Sequence, residues 1–157
     1  MRKPLAVIVV VLALCLSGTA PAHAADPSLD AQVERILTDF PGGVRTSENT
    51  IEWKGGAVVL TLASPNQIAP LSVGSCATGS YCAYTGVSLS GSKLSFTTCP
   101  ATVSTAALPG VVRSVANARS SGTVRPLNAS GTVLATIAAG GQVNSAPTGI
   151  TQLRCAT

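Results

Sequence analysis

The sequence predicts a mainly β domain that is cross-linked by disulfides and preceded by a short helical and hairpin segment. From residue 74 onward, short runs of Val, Thr, Ser and Leu alternate with glycines, and turn signals recur about every ten residues, as in a small sandwich or barrel. An even number of cysteines follows the N-terminal apolar run, which favours disulfide bonds. Aromatic residues make up only 3% of the chain, so a core of Val, Leu, Ile and Ala needs such cross-links for stability.

Residues 1–24 have the three parts of an export signal. Arg2 and Lys3 give a positive start, an apolar run covers residues 5–16, and small residues precede Ala25. The run of about 12 residues is shorter than the roughly 20 that a membrane-spanning helix requires. Cys15 lies within the run and lacks the small preceding residue of a lipoprotein signal. We therefore predict cleavage before Ala25, secretion to the extracellular space, and no stable membrane insertion afterwards.

An amphipathic helix is predicted over residues 26–40. Asp26 can cap this helix, and Pro27 suits its first position. Apolar side chains recur at spacings of three and four, which predicts one buried face made of Leu29, Val33, Ile36, Leu37 and Phe40. Residues 26–52 are acidic in sum and residues 53–157 are basic, so we expect the helix to dock on the β domain. The alternative is a flexible extension or a propeptide that is removed after export.

A β-hairpin is predicted after the helix, with strands at 50–53 and 57–62. We assign residues 25–63 to an N-terminal appendage, residues 64–73 to a linker that contains two prolines, and residues 74–157 to the β domain. Strands within the β domain are predicted at 81–84, 93–97, 111–116, 122–127, 132–137 and 142–143.

The composition excludes most catalytic chemistry. The one histidine, His23, lies in the export signal, so no histidine remains to activate a nucleophile. All six acidic residues precede Trp53, which leaves residues 53–157 without paired carboxylates or a carboxylate-liganded calcium site. The chain has ten Lys and Arg residues, and eight remain once Arg2 and Lys3 are removed with the export signal. Against six acidic residues this gives a net charge of about +2, and the basic residues form no cluster that would bind nucleic acid. We predict a protein that is not an enzyme, takes no cofactor, binds no metal and binds no nucleic acid.

Four cysteines of the exported chain are expected to form two disulfides in an oxidising compartment. Three connectivities are possible for four cysteines. Cys76 and Cys82 are near enough in sequence to close a small ring, which would leave Cys99 to pair with Cys155.

Residues 76–94 have the sequence CATGSYCAYTGVSLSGSKL, and weaker matches follow at Leu108-Pro109, Arg113-Ser114 and Ala116-Asn117. This pattern resembles the Streptomyces metalloproteinase inhibitor family, whose members are secreted actinobacterial proteins. The resemblance covers about residues 74–150, roughly half of the chain. It implies a small Greek-key sandwich of the βγ-crystallin-like class, to which the helix and hairpin are appended.

Three residues carry the fold motif that this resemblance implies. Tyr84 would pack over a folded hairpin, Gly91 would adopt a backbone conformation that side chains disfavour, and the Ser114 hydroxyl would hydrogen-bond to the hairpin. Related domains bind calcium through Asn or Asp just before this serine. Residues 109–113 contain neither, so the resemblance implies no calcium site here.

Members of the family block a protease with a protruding loop that contains its own disulfide. The matching residues here contain no cysteine and are Arg125, Pro126, Leu127, Asn128, Ala129, Ser130 and Gly131. The resemblance implies a secreted inhibitor of an extracellular metalloprotease, with these residues as the candidate inhibitory loop. The alternatives are a non-inhibitory structural or cell-wall-associated module and a small secreted toxin.

Overall fold

The computed structural model describes residues 28–63 and 76–157. The predicted export signal and the predicted linker at 64–73 lie outside the described residues.

The helix α1 spans Leu29–Asp39. Its N-cap is Ser28, whose hydroxyl accepts a hydrogen bond from the Ala31 amide at 3.3 Å. The predicted start at residue 26 with Asp26 as the cap was therefore wrong. A serine hydroxyl placed three residues before a free amide satisfies one of the amides that a helix leaves unpaired, and this fixes the start of α1.

The apolar face of α1 packs on the protein core. Val33 and Ile36 are buried, and Leu29, Leu37 and Phe40 are partly buried against the same core cluster. These are the five residues that the spacing predicted for this face.

The contact of α1 with the rest of the molecule also has a polar component. The Trp53 indole donates to the carbonyl oxygen of Phe40 at 2.9 Å, and Arg45 forms an ion pair with Asp30 at 2.7 Å. These contacts orient α1, while apolar burial supplies most of the stabilisation, because exposed ion pairs contribute only about 0–1 kcal/mol.

The described strands pair antiparallel and form two sheets. The strands are β1 (Val44–Ser47), β2 (Thr50–Trp53), β3 (Val58–Thr61), β4 (Tyr81–Tyr84), β5 (Lys93–Phe96), β6 (Ala101–Ser104), β7 (Ser114–Asn117), β8 (Thr123–Leu127), β9 (Ile137–Ala138), β10 (Gln142–Val143) and β11 (Gln152–Ala156). The first sheet has the order β1-β2-β3-β5-β4-β7-β10, and the second has the order β6-β11-β8-β9. The mainly β fold is thereby confirmed, and the arrangement is consistent with a sandwich.

The hairpin of β2 and β3 extends the first sheet. Strand β3 pairs with β5, and Leu60 lies opposite Leu94 in that pairing. Both side chains are fully buried in the main core cluster. The hairpin therefore adds its apolar face to the same core as the strands after residue 76.

The strand order after residue 80 repeats itself. We call strands β4 to β7 the first repeat and strands β8 to β11 the second repeat. In the first repeat, β5-β4-β7 are neighbours and β6 lies in the other sheet; in the second, β9-β8-β11 are neighbours and β10 lies in the other sheet. Matching backbone bonds join Arg113 N to Tyr84 O at 2.8 Å and Thr151 N to Leu127 O at 2.9 Å.

Two predicted strands differ from the structure by more than one residue at an end. The strand predicted at 111–116 begins at Ser114, because Val111 is 68% exposed and pairing with β4 starts at Tyr84 opposite Ser114. The strand predicted at 132–137 is reduced to a single bridge at Val133 and the two residues of β9. Strands β1, β6 and β11 were not predicted.

Candidate functional site

The loop after β4 is a folded hairpin, which we define as residues 85–92. The Thr85 amide donates to the Ser92 carbonyl at 3.0 Å, and the Ser92 amide donates to the Thr85 hydroxyl at 2.9 Å. Leu89 at the tip of the folded hairpin belongs to a small apolar cluster with Tyr84 and the Cys76 and Cys82 side chains. Tyr84 is fully buried there, so the folded hairpin covers part of the first sheet.

Ser114 fastens the folded hairpin to β7. Its hydroxyl donates to the Gly86 carbonyl at 2.6 Å and accepts from the Leu89 amide at 3.0 Å. Ser114 is fully buried, and its bond from the Leu89 amide is buried as well, while its bond to the Gly86 carbonyl is partly buried. A buried hydroxyl that uses both its donor and an acceptor site holds the folded hairpin at two points.

Gly91 closes the folded hairpin in a conformation that requires glycine. Its φ is +79°, and a Cβ added there would lie against the Thr85 hydroxyl and 3.0 Å from the Gly86 nitrogen. An alanine at this position would be disfavoured both by its backbone angle and by crowding.

Two disulfides cross-link the β strands. Cys76 bonds Cys82, and Cys99 bonds Cys155, as the close spacing of the first pair suggested. The first bridge closes a local ring beside β4, with a sequence separation of 6 residues. The second, with a separation of 56 residues, ties the segment before β6 to β11 and so joins the two repeats.

The seven residues of the candidate inhibitory loop are divided between a strand and a turn. Arg125, Pro126 and Leu127 belong to β8, which lies between β11 and β9, and Leu127 is fully buried. Asn128 is half-buried, and Ala129, Ser130 and Gly131 are exposed. Only the last four of the predicted loop residues therefore lie in a surface turn.

We call residues 128–132 the Asn128 turn. The side-chain oxygen of Asn128 accepts hydrogen bonds from the Ser130 amide at 3.1 Å, the Ser130 hydroxyl at 2.7 Å and the Thr132 amide at 2.8 Å. The Asn128 amide donates to the Thr132 carbonyl at 3.1 Å and closes the turn. One side chain therefore organises the whole turn without a disulfide.

The role of Asn128 was missed at the level of sequence. The available signal was an asparagine followed by hydroxyl residues two and four positions later, because asparagine side chains hydrogen-bond the backbone that follows them.

The acidic and basic side chains of the described residues are separated along the chain. The acidic side chains lie within residues 28–52, and the part of the chain after Trp53 carries only basic ones. Within residues 28–63 and 76–157, no group of three or more potential metal ligands comes together. No helix in those ranges is long and apolar enough to cross a membrane.

Tyr81 is a titratable side chain whose pKa is shifted by its surroundings. Burial raises the pKa of Tyr81 to about 12, and the nearby positive charge of Arg119 opposes this shift. The phenol donates to the Thr98 carbonyl at 3.0 Å, and its ring stacks on Phe96 with centroids 5.3 Å apart. Tyr81 therefore stays neutral and contributes to the packing of the core.

A cavity of about 470 Å³ opens between the end of α1, the first sheet and β6. Its walls include Phe40, Trp53, Leu94 and Val103, with Asp39 and Lys54 also lining it. Most of its lining residues are apolar, and Thr102 and Ser104 add hydroxyl groups.

Comparisons with protein-family models, with curated proteins and with solved structures gave no match to this chain.

Proposed function

We propose that this protein is exported and acts as a non-enzymatic inhibitor of an extracellular metalloprotease, binding through the Asn128 turn. The observation that carries the proposal is the triple hydrogen bonding of the Asn128 side chain, which orders an exposed turn at the position that resembles the inhibitory loop.

The proposed fold is a pair of Greek keys of the βγ-crystallin-like kind. The repeated strand order, with the third strand of each repeat in the opposite sheet, supports this proposal. So do the paired hydrogen bonds of Ser114 and the positive φ of Gly91, since the resemblance implied both features. The two disulfides are compatible with export.

A preordered turn supports tight binding for a physical reason. Association costs free energy when a mobile loop is immobilised, and a loop already held in its bound shape avoids much of that cost. In the resembling family a disulfide supplies the order. Here the Asn128 side chain supplies it, while exposed Ala129, Ser130 and Gly131 offer backbone carbonyl groups to a partner.

A non-inhibitory crystallin-like module is the second candidate, and the tightness of the same turn favours it. The bond from the Asn128 amide to the Thr132 carbonyl leaves only three residues between its ends. A protease cleft that binds extended peptide could contact only a few residues of this turn. The two candidates differ in whether the Asn128 turn contacts a protease at all.

Titration of a thermolysin-like metalloprotease with the mature protein tests the proposal. We expect stoichiometric inhibition, and we expect Ala129→Glu to weaken it by roughly tenfold or more, since the substitution places bulk and charge at the tip of the turn. Ala106→Glu is the matched control, because Ala106 is also exposed in a turn. It should inhibit like the wild type. Slow digestion of the wild type without inhibition would instead support the non-inhibitory module.

A further inference from the structure

Two arginines lie side by side on the outer face of the second sheet. In the pairing of β8 with β11, Arg125 is directly opposite Arg154. Their neighbours along β11, Leu153 and Cys155, are buried in the core, so Arg154 and its cross-strand partner face away from it. The Cβ atoms of directly opposed residues in such a pair are about 4.5–5.5 Å apart.

This arrangement is unfavourable for the protein alone. Like charges directly opposite each other destabilise a sheet. No acidic side chain occurs between Trp53 and Thr157 to compensate them. The Nε atom of Arg125 is buried without a hydrogen-bond partner among the described residues, so a ligand from solvent meets the pair at the terminal guanidinium nitrogens. The pair therefore has unused donors and uncompensated positive charge at a single place.

The geometry points to an oxyanion site at Arg125 and Arg154, which takes a phosphate group. Guanidinium groups present planar forks of N–H donors that match phosphate oxygens two at a time. A tetrahedral dianion can accept from both forks at once and neutralise both charges, whereas a single carboxylate fully occupies only one fork. Thr102, which lies opposite Arg154 on its other side, places a hydroxyl in the same row.

The surroundings of the pair are compatible with free phosphate and with the phosphodiester of a polymer. Small residues flank the arginines on the strands of this face, among them Thr102, Thr123 and Ala156. The short side chains of Thr123 and Ala156 leave room for a ligand to continue at one end of the pair, whereas Gln152 borders the other end. This site is separate from the Asn128 turn, since Arg125 lies within β8, so it does not depend on protease inhibition.

Thermal unfolding and NMR of the whole mature protein test the site with inorganic phosphate as the probe. Phosphate in the low millimolar range, at constant ionic strength set by chloride, should raise the midpoint, because a ligand that binds the native state stabilises it. It should also shift the Arg125 Nε–H resonance. Arg154→Gln should weaken phosphate binding by roughly tenfold or more, the loss of one charge-assisted contact.

Arg113→Gln is the matched control, because it removes the same charge from an exposed residue outside the pair. It should keep the phosphate response. Equal loss in Arg113→Gln and Arg154→Gln would overturn the site in favour of diffuse charge, and so would the lack of any response in the wild type.

A poly(glycerol phosphate) probe distinguishes free phosphate from a phosphodiester polymer as the ligand. Tighter binding than inorganic phosphate indicates a polymer ligand, and weaker binding indicates free phosphate.

Discussion

The two repeats have the same strand order but hold the loop after their first strand in different ways. In the first repeat, the folded hairpin after β4 lies over the sheet and is fastened to β7 by the buried Ser114 hydroxyl. In the second repeat, the Asn128 turn after β8 is closed by hydrogen bonds within itself. Ser114 pairs with Tyr84 in the first repeat, whereas the corresponding partner of Leu127 is Gln152.

This difference separates a structural loop from one that is free to serve another role. The folded hairpin cannot move without exposing Tyr84 and breaking the two hydrogen bonds of the Ser114 hydroxyl. The Asn128 turn can change without disturbing either sheet, because its bonds end within residues 128–132. A fold that repeats its topology can therefore use one loop for stability and leave the other available for binding.

The largest expected effect comes from the bridge that joins the repeats. Replacing Cys99 and Cys155 together by Ser should lower the free energy of unfolding by about 4 kcal/mol, against about 2 kcal/mol for Cys76 and Cys82, because the longer loop regains more chain entropy. Urea unfolding of both double variants measures the difference. Equal losses would show that loop length does not set the ranking.

A matched pair of glycines tests the crowding of the two loops. Gly91 and Gly131 both have φ of +79°, but a Cβ at Gly131 would meet nothing within 4 Å. Gly131→Ala should therefore lower the free energy of unfolding by only the backbone penalty of about 1–2 kcal/mol. Gly91→Ala adds crowding of about 1–3 kcal/mol to that penalty. Identical melting points of the two variants would contradict the crowded geometry of the folded hairpin.

Removing the polar side chain that orders each loop sharpens the comparison. Ser114→Ala leaves the Leu89 amide unpaired in a buried site and should cost about 1–3 kcal/mol in the free energy of unfolding. Asn128→Ala exposes its former partners to water and should cost less than about 1 kcal/mol. Denaturant midpoints provide the measurement, and a larger loss for Asn128→Ala would reverse the roles that we assign.

The last effect is confined to alkaline pH and concerns the pH dependence of stability. Because the folded-state pKa of Tyr81 is raised to about 12, above the usual value of about 10, its neutral phenol contributes stability that is complete below pH 10. That contribution is lost as the pH rises from 10 to 12. Tyr81→Phe should flatten the stability profile in this window. A profile as steep as that of the wild type would assign the loss to other groups.

The sequence was sufficient for the elements whose signals are local. The spacing of Val33 and Ile36 identified the buried face of α1, and Tyr81–Tyr84 was identified as a strand from its composition and the turn residues around it. The disulfide partners followed from the closeness of Cys76 to Cys82.

Elements that depend on distant partners were missed. Strand β11 was missed although Gln152 to Cys155 alternate between polar and apolar residues, because this pattern is only four residues long and the strand forms between β6 and β8. Strand β1 is exposed at all four positions, so it has no hydrophobic pattern to detect.

The candidate site shows the same difference between features with a local sequence signal and features that depend on distant residues. Ser114 and Gly91 were named from the resemblance, but the self-contained hydrogen bonding of the Asn128 turn was not foreseen. The juxtaposition of Arg125 with Arg154 depends on the register of two strands far apart in sequence, which no local pattern encodes.

Native-state hydrogen exchange tests the contrast between the two loops most directly. The Leu89 amide donates to Ser114, and the Thr132 amide donates to Asn128. Leu89 should exchange only through openings that approach global unfolding, while Thr132 should exchange through a local opening at least a hundredfold more often, about 3 kcal/mol lower in free energy. Equal protection of the two amides, or stronger protection of Thr132, would contradict the division of roles between the repeats.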